Sequence, residues 1–471
     1  MEIEAIGAVA IAVGLVGWMA GQSFAIYVFF VSTLLSSAAA LLLPSLGYAN
    51  IQPAHLLLGF FALTVAASRA SLGRVVDALA FPNAGFWLLF TAVYTALSAY
   101  FLPRIFAGAT YVFAIARTEI GPGIIAQPLS PVSGNITQSI YFIGDLVCFL
   151  VFYVCASKPR GFTAIVNATL VCAAANLCFA AIDLGSYTAG LGDVLGFIRN
   201  GSYRMLDDGA VMGFKRIVGS FPEASTFAYF TVGFFAFSTR LWIAGVRRAF
   251  TAPLALLSFA MLILSTSSTG YAATSGFLLL LFMSKLAQVL SRPVRRETMA
   301  MVAILPMVTG IVLVGVRLDE PAWQLLTEMT DQTVFHKLDS SSGIERQKWN
   351  EQALVNFAET DGLGGGAGSV RASSFPIAVL GNIGALGATT YAIFLFCLLF
   401  GRKNRWQEPF PAAGQSAARW ACLAQLIGAS VAGSFIDLGP PFFIFAGLAC
   451  AGPEPARVSR LPPAPALAEA D

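Results

Sequence analysis

The residues whose types and spacing could do chemistry stand together at Ser341-Ser342-Gly343-Ile344-Glu345-Arg346-Gln347-Lys348-Trp349-Asn350, followed by a glycine-rich turn over 362–368. They belong to the longest polar interruption in an oily chain, residues 317–374. A polar connection of that length between two apolar spans is where a membrane protein carries working groups. Ser342 and Glu345 have capping-box spacing and open a helix expected to run to about Ala358, so Glu345 reads as a cap before it reads as a base. On that helix Arg346, Trp349 and Asn350 lie three and four apart and share a face. A guanidinium grips phosphate with two hydrogen bonds and an indole covers an apolar sugar face, so the trio suits a sugar phosphate. The same face suits a helix lying in the bilayer interface, where Trp and Arg are also at home. Arg371 follows the glycine turn and stands with Ser373 and Ser374 at the mouth of the next span.

A second connection, 185–223, carries Arg204 and ends in Lys215, Arg216 and the run to Glu223. Glu223 behind Pro222 has two readings: an ordinary helix start, with proline in the first turn and a carboxylate near the positive dipole end, or a general base. The first connection, 103–138, holds Arg104, Arg117 and Glu119 among Gly and Pro and reads as a turn-rich linker. Gly364-Gly365-Gly366-Ala367-Gly368 could offer backbone N–H groups to a pyrophosphate, but it lacks a P-loop ending, and flexibility is its default meaning. Asp207-Asp208 reads as a solvated turn. His55 falls in or at the edge of a span and His336 stands alone, so neither forms a zinc site or a hydrolase triad. No metal site is expected.

These loops must be held by something, and composition says what. The chain is 57% hydrophobic and 11% charged, far from a soluble domain. Apolar runs long enough to cross a roughly 30 Å hydrocarbon core recur throughout, without barrel-type alternation. The expected fold is all-α, a polytopic membrane bundle of about twelve or thirteen spans. They are read at 5–20, 24–43, 55–68, 84–102, 139–157, 162–184, 224–244, 251–266, 270–289, 298–316, 375–400, 417–435 and 439–451. The start, Met1-Glu2-Ile3-Glu4, lacks a basic region, so the first run is expected to remain a span. Arg69, Arg74, Lys158, Arg160, Arg247, Arg248 and the basic residues of 285–296 and 402–405 fall on one face, which marks it as cytoplasmic. The arginines of the three long connections then face outward. All seven cysteines lie inside predicted spans, with no disulfide framework. The organisation read from this is an N-terminal bundle over 1–184, a second region over 185–451 that includes the loop 317–374, and a Pro- and Ala-rich disordered tail over 452–471.

Three blocks carry a resemblance. Arg216-Ile217-Val218-Gly219-Ser220-Phe221-Pro222-Glu223-Ala224, the run Leu264-Ser265-Thr266-Ser267-Ser268-Thr269-Gly270, and Arg346, Trp349, Leu354, Phe357, Gly362-Leu363-Gly364 and Gly368, closing at Gly384-Ala385-Leu386-Gly387, resemble in order and spacing the O-antigen ligase and polymerase superfamily. The resemblance covers roughly the second half of the chain. It implies a GT-C-like bundle with its site under a large periplasmic loop, acting in the bacterial inner membrane on glycan carried by undecaprenyl pyrophosphate. By motif position Arg216 and Arg346 would engage the pyrophosphate.

Two departures from the family pattern stand out, and the second, the missing histidine, favours a polymerase over a ligase acting on lipid A core. Thr266-Ser267-Ser268 replaces the usual serine-arginine closing the middle motif. Ser373-Ser374 stands where ligases carry histidine and asparagine.

Without an Asp-rich metal site, fixed arginines must hold the charge of the leaving diphosphate. The expected catalytic set is Glu223 as base with Arg216 and Arg346. Arg371, Trp349, Asn350, Lys215 and Arg204 are expected to bind substrate. No cofactor and no nucleic acid are expected; the partners would be the lipid-linked glycan, membrane lipids, a chain-length regulator and a flippase. The rival class is a transporter or flippase, for which the exported arginines would form a vestibule. Asp145 and Asp183, charges inside spans, are the residues that favour it.

Overall fold

The computed structural model describes residues 2–44, 49–118, 121–201, 205–206, 209–211, 214–291, 317–318, 320, 323–324, 327–328, 341–401 and 406–453. The expected span at 298–316 lies outside them. Fourteen α-helices are described: α1 Ala5–Ala20, α2 Gln22–Thr33, α3 Pro53–Ala66, α4 Arg69–Leu79, α5 Ala84–Ile105, α6 Ser133–Ala156, α7 Pro159–Thr188, α8 Ala224–Ile243, α9 Arg248–Leu264, α10 Ser268–Ser291, α11 Ser341–Glu359, α12 Phe375–Phe400, α13 Pro409–Ala432 and α14 Gly439–Cys450. Five of them, α5, α6, α7, α10 and α12, are long and apolar enough to cross a membrane, and α3 with α4, bent by 108°, could form a sixth span. The chain is a multi-pass membrane protein. The other apolar helices α1, α2, α9 and α14 have 10–17 residues each; α1, α9 and α14 keep about the lengths read for 5–20, 251–266 and 439–451, and α2 is shorter than the run read over 24–43.

The differences have local causes. The run read as one span over 24–43 ends as helix at Thr33, where the Ser32 and Thr33 hydroxyls bond back to the Phe29 and Phe30 carbonyls. Leu41–Leu43 then forms β2, the central strand between β1 (Glu2–Ile3) and β3 (Ala49–Ile51). The linker read over 103–138 contains an antiparallel hairpin, β4 Tyr111–Thr118 and β5 Gly121–Pro128, registered from Tyr111 against Pro128 to Thr118 against Gly121. Alternating aromatic and β-branched residues in β4 outweigh the flanking Gly and Pro. β6 (Ala210–Val211) and β7 (Phe214–Lys215) form a small pair before α8. The amphipathic α4 is capped by Ser68, whose hydroxyl accepts the Ser71 N–H at 3.4 Å.

Lipid tails are as apolar as the helices, so the bundle is held by packing and by close backbone approach. Phe152 meets Phe29, Phe30 and Phe61 at 5.4, 5.6 and 5.6 Å. α14 is buried along nearly its whole length, and a Cβ on its Gly447 would lie 2.8 Å from the Phe149 carbonyl oxygen of α6.

One end of the bundle gathers the long connections. There the helix α12 breaks at Gly384, φ 59° and ψ −165°. The glycine turn docks into the break: Gly365 N–H donates to Gly381 O at 2.8 Å, Gly366 N–H to Asn382 O at 2.9 Å, Gly368 N–H to Asn382 Oδ1 at 2.9 Å, and Ala385 N–H to Gly362 O at 2.8 Å. Gly366 (φ +94°) has Pro103 Cδ 2.6 Å and Gly368 (φ +83°) has the Gly134 carbonyl oxygen 2.3 Å from where a Cβ would stand. The turn is thus a packed plug between α5, α6 and α12.

Candidate functional site

Arg216, Glu223, Arg346 and Arg371 come from three separate stretches and meet at this end. The loop before α8 is pinned first. Asp183, in the last turns of α7, accepts the N–H groups of Val218 and Gly219 at 2.9 and 3.1 Å. It also pairs with Arg199 at 3.3 Å and Lys215 at 3.1 Å. Arg199 returns a bond to Gly219 O at 2.7 Å, and Ser220 Oγ donates to Leu34 O at 2.7 Å. Ile217, Val218 and Phe221 are fully buried, so the backbone around half-buried Arg216 is fixed. Lys215 therefore belongs to the Asp183 cluster, with its ammonium 5.2 Å from the Tyr187 ring centroid, and does not join the arginines. Asp183 likewise has an ion-pair role inside the bundle end.

The helix α11 supplies the second stretch. It begins at Ser341, which puts Ser342 in the first turn and not ahead of it. Its inward face runs through Gly343, Trp349, Ala353 and Asn356, all buried, with Arg346 and Asn350 half-buried beside them. The shared face read from the sequence is the one turned to the protein. Asn356 Nδ2 donates to Thr110 Oγ1 and Tyr111 O at 2.7 and 2.6 Å, tying α11 to the root of the hairpin. Asn350 Oδ1 accepts the Ser373 N–H at 2.8 Å, which fixes the third stretch two residues from Arg371. The Arg371 guanidinium lies over Trp349, 4.3 Å from the ring centroid. One face of the indole is thus already covered by an arginine.

The charges act on one another. Burial lowers the Arg216 guanidinium from its ordinary value, Arg346 lowers it further, and Glu223 and Tyr271 oppose them. Burial also lowers Arg371; Glu345 and Glu223 raise it, and Arg346 lowers it. Among the described residues, neither Arg216 nor Arg371 has a partner for its buried Nε, and none of Arg216, Arg346 or Arg371 forms an ion pair within 4.0 Å. Glu223 accepts a short hydrogen bond from Ser225 Oγ at the start of α8. Three like charges held together without paired carboxylates among the described residues could complement a multivalent anion.

Tyr271 was not anticipated from the sequence. It sits in the first turn of α10, where its hydroxyl donates to Ile263 O at 2.9 Å. The small-polar run turns the chain there with Thr266 at φ +46°, and that turn delivers Tyr271 to Arg216. Its only signal was that it follows the run by one residue. The glycine turn, by contrast, is not open to a phosphate through Gly364, Gly365, Gly366 and Gly368, because each of these N–H groups donates within the protein. Arg204, Asp207, Asp208 and His336 lie outside the described residues. Among those described, no three His, Cys, Asp or Glu side chains gather as a metal-ligand set. No family model matches the chain, and no curated protein matches it.

Proposed function

We propose that this chain is an integral membrane glycosyltransferase that joins undecaprenyl-pyrophosphate-linked repeat units into a surface or exported polysaccharide at the periplasmic face of the bacterial inner membrane. The observation that supports it is the convergence of Arg216 from one long connection with Arg346 and Arg371 from another, their guanidinium groups unspent on carboxylates among the described residues. A diphosphate leaving group carries the charge such a site complements, and its lipid tail suits a protein whose walls are apolar helices. In the reaction an acceptor hydroxyl attacks the anomeric carbon while the bond from that carbon to the pyrophosphate oxygen breaks. The hydroxyl proton passes to Glu223, and the arginines hold the departing charge. Asn350 and Trp349 then act on Arg371, the first by fixing its backbone and the second by supporting its guanidinium.

Purified protein in lipid nanodiscs, given lipid-linked repeat units, should produce longer lipid-linked chains. Transfer of glycan to lipid A core would make it a ligase, and the absence of any covalent product, with binding retained, would make it a transporter. Arg346→Lys should rescue poorly, because a point charge does not reproduce the two-pronged grip.

A further inference from the structure

A second polar cluster lies inside the bundle and takes no part in the reaction above. Asp145 is midway along α6, twelve residues from its start, and is fully buried. Neither of its carboxylate oxygens has a hydrogen-bond partner among the described residues. Asp437 reaches it from the break between α13 and α14. Because α14 has only twelve residues, roughly 18 Å of helix, the break dips well into the bundle and brings Asp437 with it. Asp437 Oδ1 accepts the Gly439 N–H at 2.5 Å, and the residue is half-buried.

Cys148 Sγ, one turn along α6 from Asp145, reaches Pro440 O, three residues beyond Asp437, at 3.6 Å, and the two carboxyl groups at this junction act directly on one another. An ionised carboxylate has no donor, so two of them are joined only when a proton sits between them. Among the described residues, the groups that feel the charge of Asp145 or Asp437 include His55 of α3, Tyr141 and Cys148 of α6, Tyr229 of α8 and Tyr391 of α12, none of them a lysine or arginine. Two of them point to an exchangeable proton. Among the described residues, both ring nitrogens of His55 are buried without a partner, as is the hydroxyl of Tyr391, a residue 1% exposed. The His55 ring stacks on Tyr141 at 4.7 Å and stands in the first turn of α3, toward the arginine-bearing end. His55, Asp145 and Asp437 do not converge as a metal-ligand set. A divalent ion would lack the donors that a proton does not need.

We propose that Asp145 and Asp437 hold one proton between them in the core of the bundle, and that His55 is the group through which that proton exchanges with the arginine-bearing end. The site is independent of the glycosyl-transfer reading and stands if that reading fails.

Infrared difference spectra of the wild-type protein in nanodiscs test it, in sodium and in choline buffers. A carboxylic-acid C=O band should be present at neutral pH, shift in heavy water, and be the same in both buffers. Asp145→Asn should remove the band, and Asp437→Asn should shift it by removing the partner. His55→Gln should keep the band and slow its deuterium exchange at least tenfold. Absence of an acid band in the wild type at neutral pH, or its loss on adding sodium, overturns the proposal. So does a band untouched by both aspartate substitutions, and unchanged exchange in His55→Gln overturns the histidine route.

Discussion

The arginine-bearing end and the carboxylate core solve the same electrostatic problem in opposite ways. At the end, Arg216, Arg346 and Arg371 repel one another but are only half-buried, and Glu223 and Glu345 offset part of their charge from a distance. Such a site tolerates like charges when empty and gains most when a multivalent anion arrives. In the core, Asp145 is sealed and its nearest charged group is another carboxylate. There one of the two charges is cancelled by a proton, the smallest cation available, and the other stays on half-buried Asp437, which accepts the Gly439 N–H. Solvent access thus separates a site that waits for a ligand from one that must always hold it.

Asp183 gives the strongest way to break this comparison. It is also a buried carboxylate, its side chain 3% exposed, but Arg199 and Lys215 stand within 3.3 Å and two backbone N–H groups point at it. Asp183→Asn removes the carboxylate that Lys215 and Arg199 share, although Arg199 keeps Asp193 at 2.7 Å, and should cost about 3 kcal/mol, read as a large fall in unfolding midpoint in detergent. Asp145→Asn exchanges a neutral acid for a neutral amide and should move the midpoint little. Equal losses would mean that Asp145 is ionised and paired, and the distinction drawn here would vanish.

Next in size are the arginines. Arg216→Ala, Arg346→Ala and Arg371→Ala should each lower chain extension about 100-fold, the scale on which removing one charge-stabilising donor acts. The same variants should leave the carboxylic-acid band of the core in place. Wild-type polymer length from any one of them would remove that arginine from its role. Gly366→Ala should follow at about 2 kcal/mol of stability, since it adds a clash with Pro103 and the Ser98 carbonyl to a backbone that L side chains avoid.

How much of this was legible depended on whether the signal was local. Apolar runs located most helices, and α12 begins and ends where its composition says, at Phe375 and Phe400. The inward face of α11 followed from the spacing of Arg346, Trp349 and Asn350. The end of α2 did not, because the chain leaves the helix to meet the loop of Arg216: Ser37 Oγ donates to Ser220 O, 183 residues away, at 2.7 Å. The glycine turn misled for the same reason. Its glycines signal flexibility in isolation and close packing once the broken α12 is beside them. Lys215 and Arg216 are adjacent and chemically alike, and only the position of Asp183 separates them. Asp437 gave no warning at all, since nothing in its neighbours reveals that α14 starts deep inside the bundle.

The finest test concerns Trp349, which the sequence offered as a sugar platform and the structure puts beneath Arg371. A cation over an indole is worth about 1 kcal/mol when partly desolvated, and phenylalanine retains only part of it. Trp349→Phe should therefore weaken binding of inorganic pyrophosphate by several-fold, and Trp349→Ala by more. Pyrophosphate has no sugar to stack. Any loss of its affinity must come through Arg371, and Arg371→Ala should then make the Trp349 substitution silent. If pyrophosphate binding is unchanged while binding of the lipid-linked glycan weakens, the free edge of the indole touches sugar. The two polar regions would still differ, but Trp349 would belong to the substrate and not to the arginine above it.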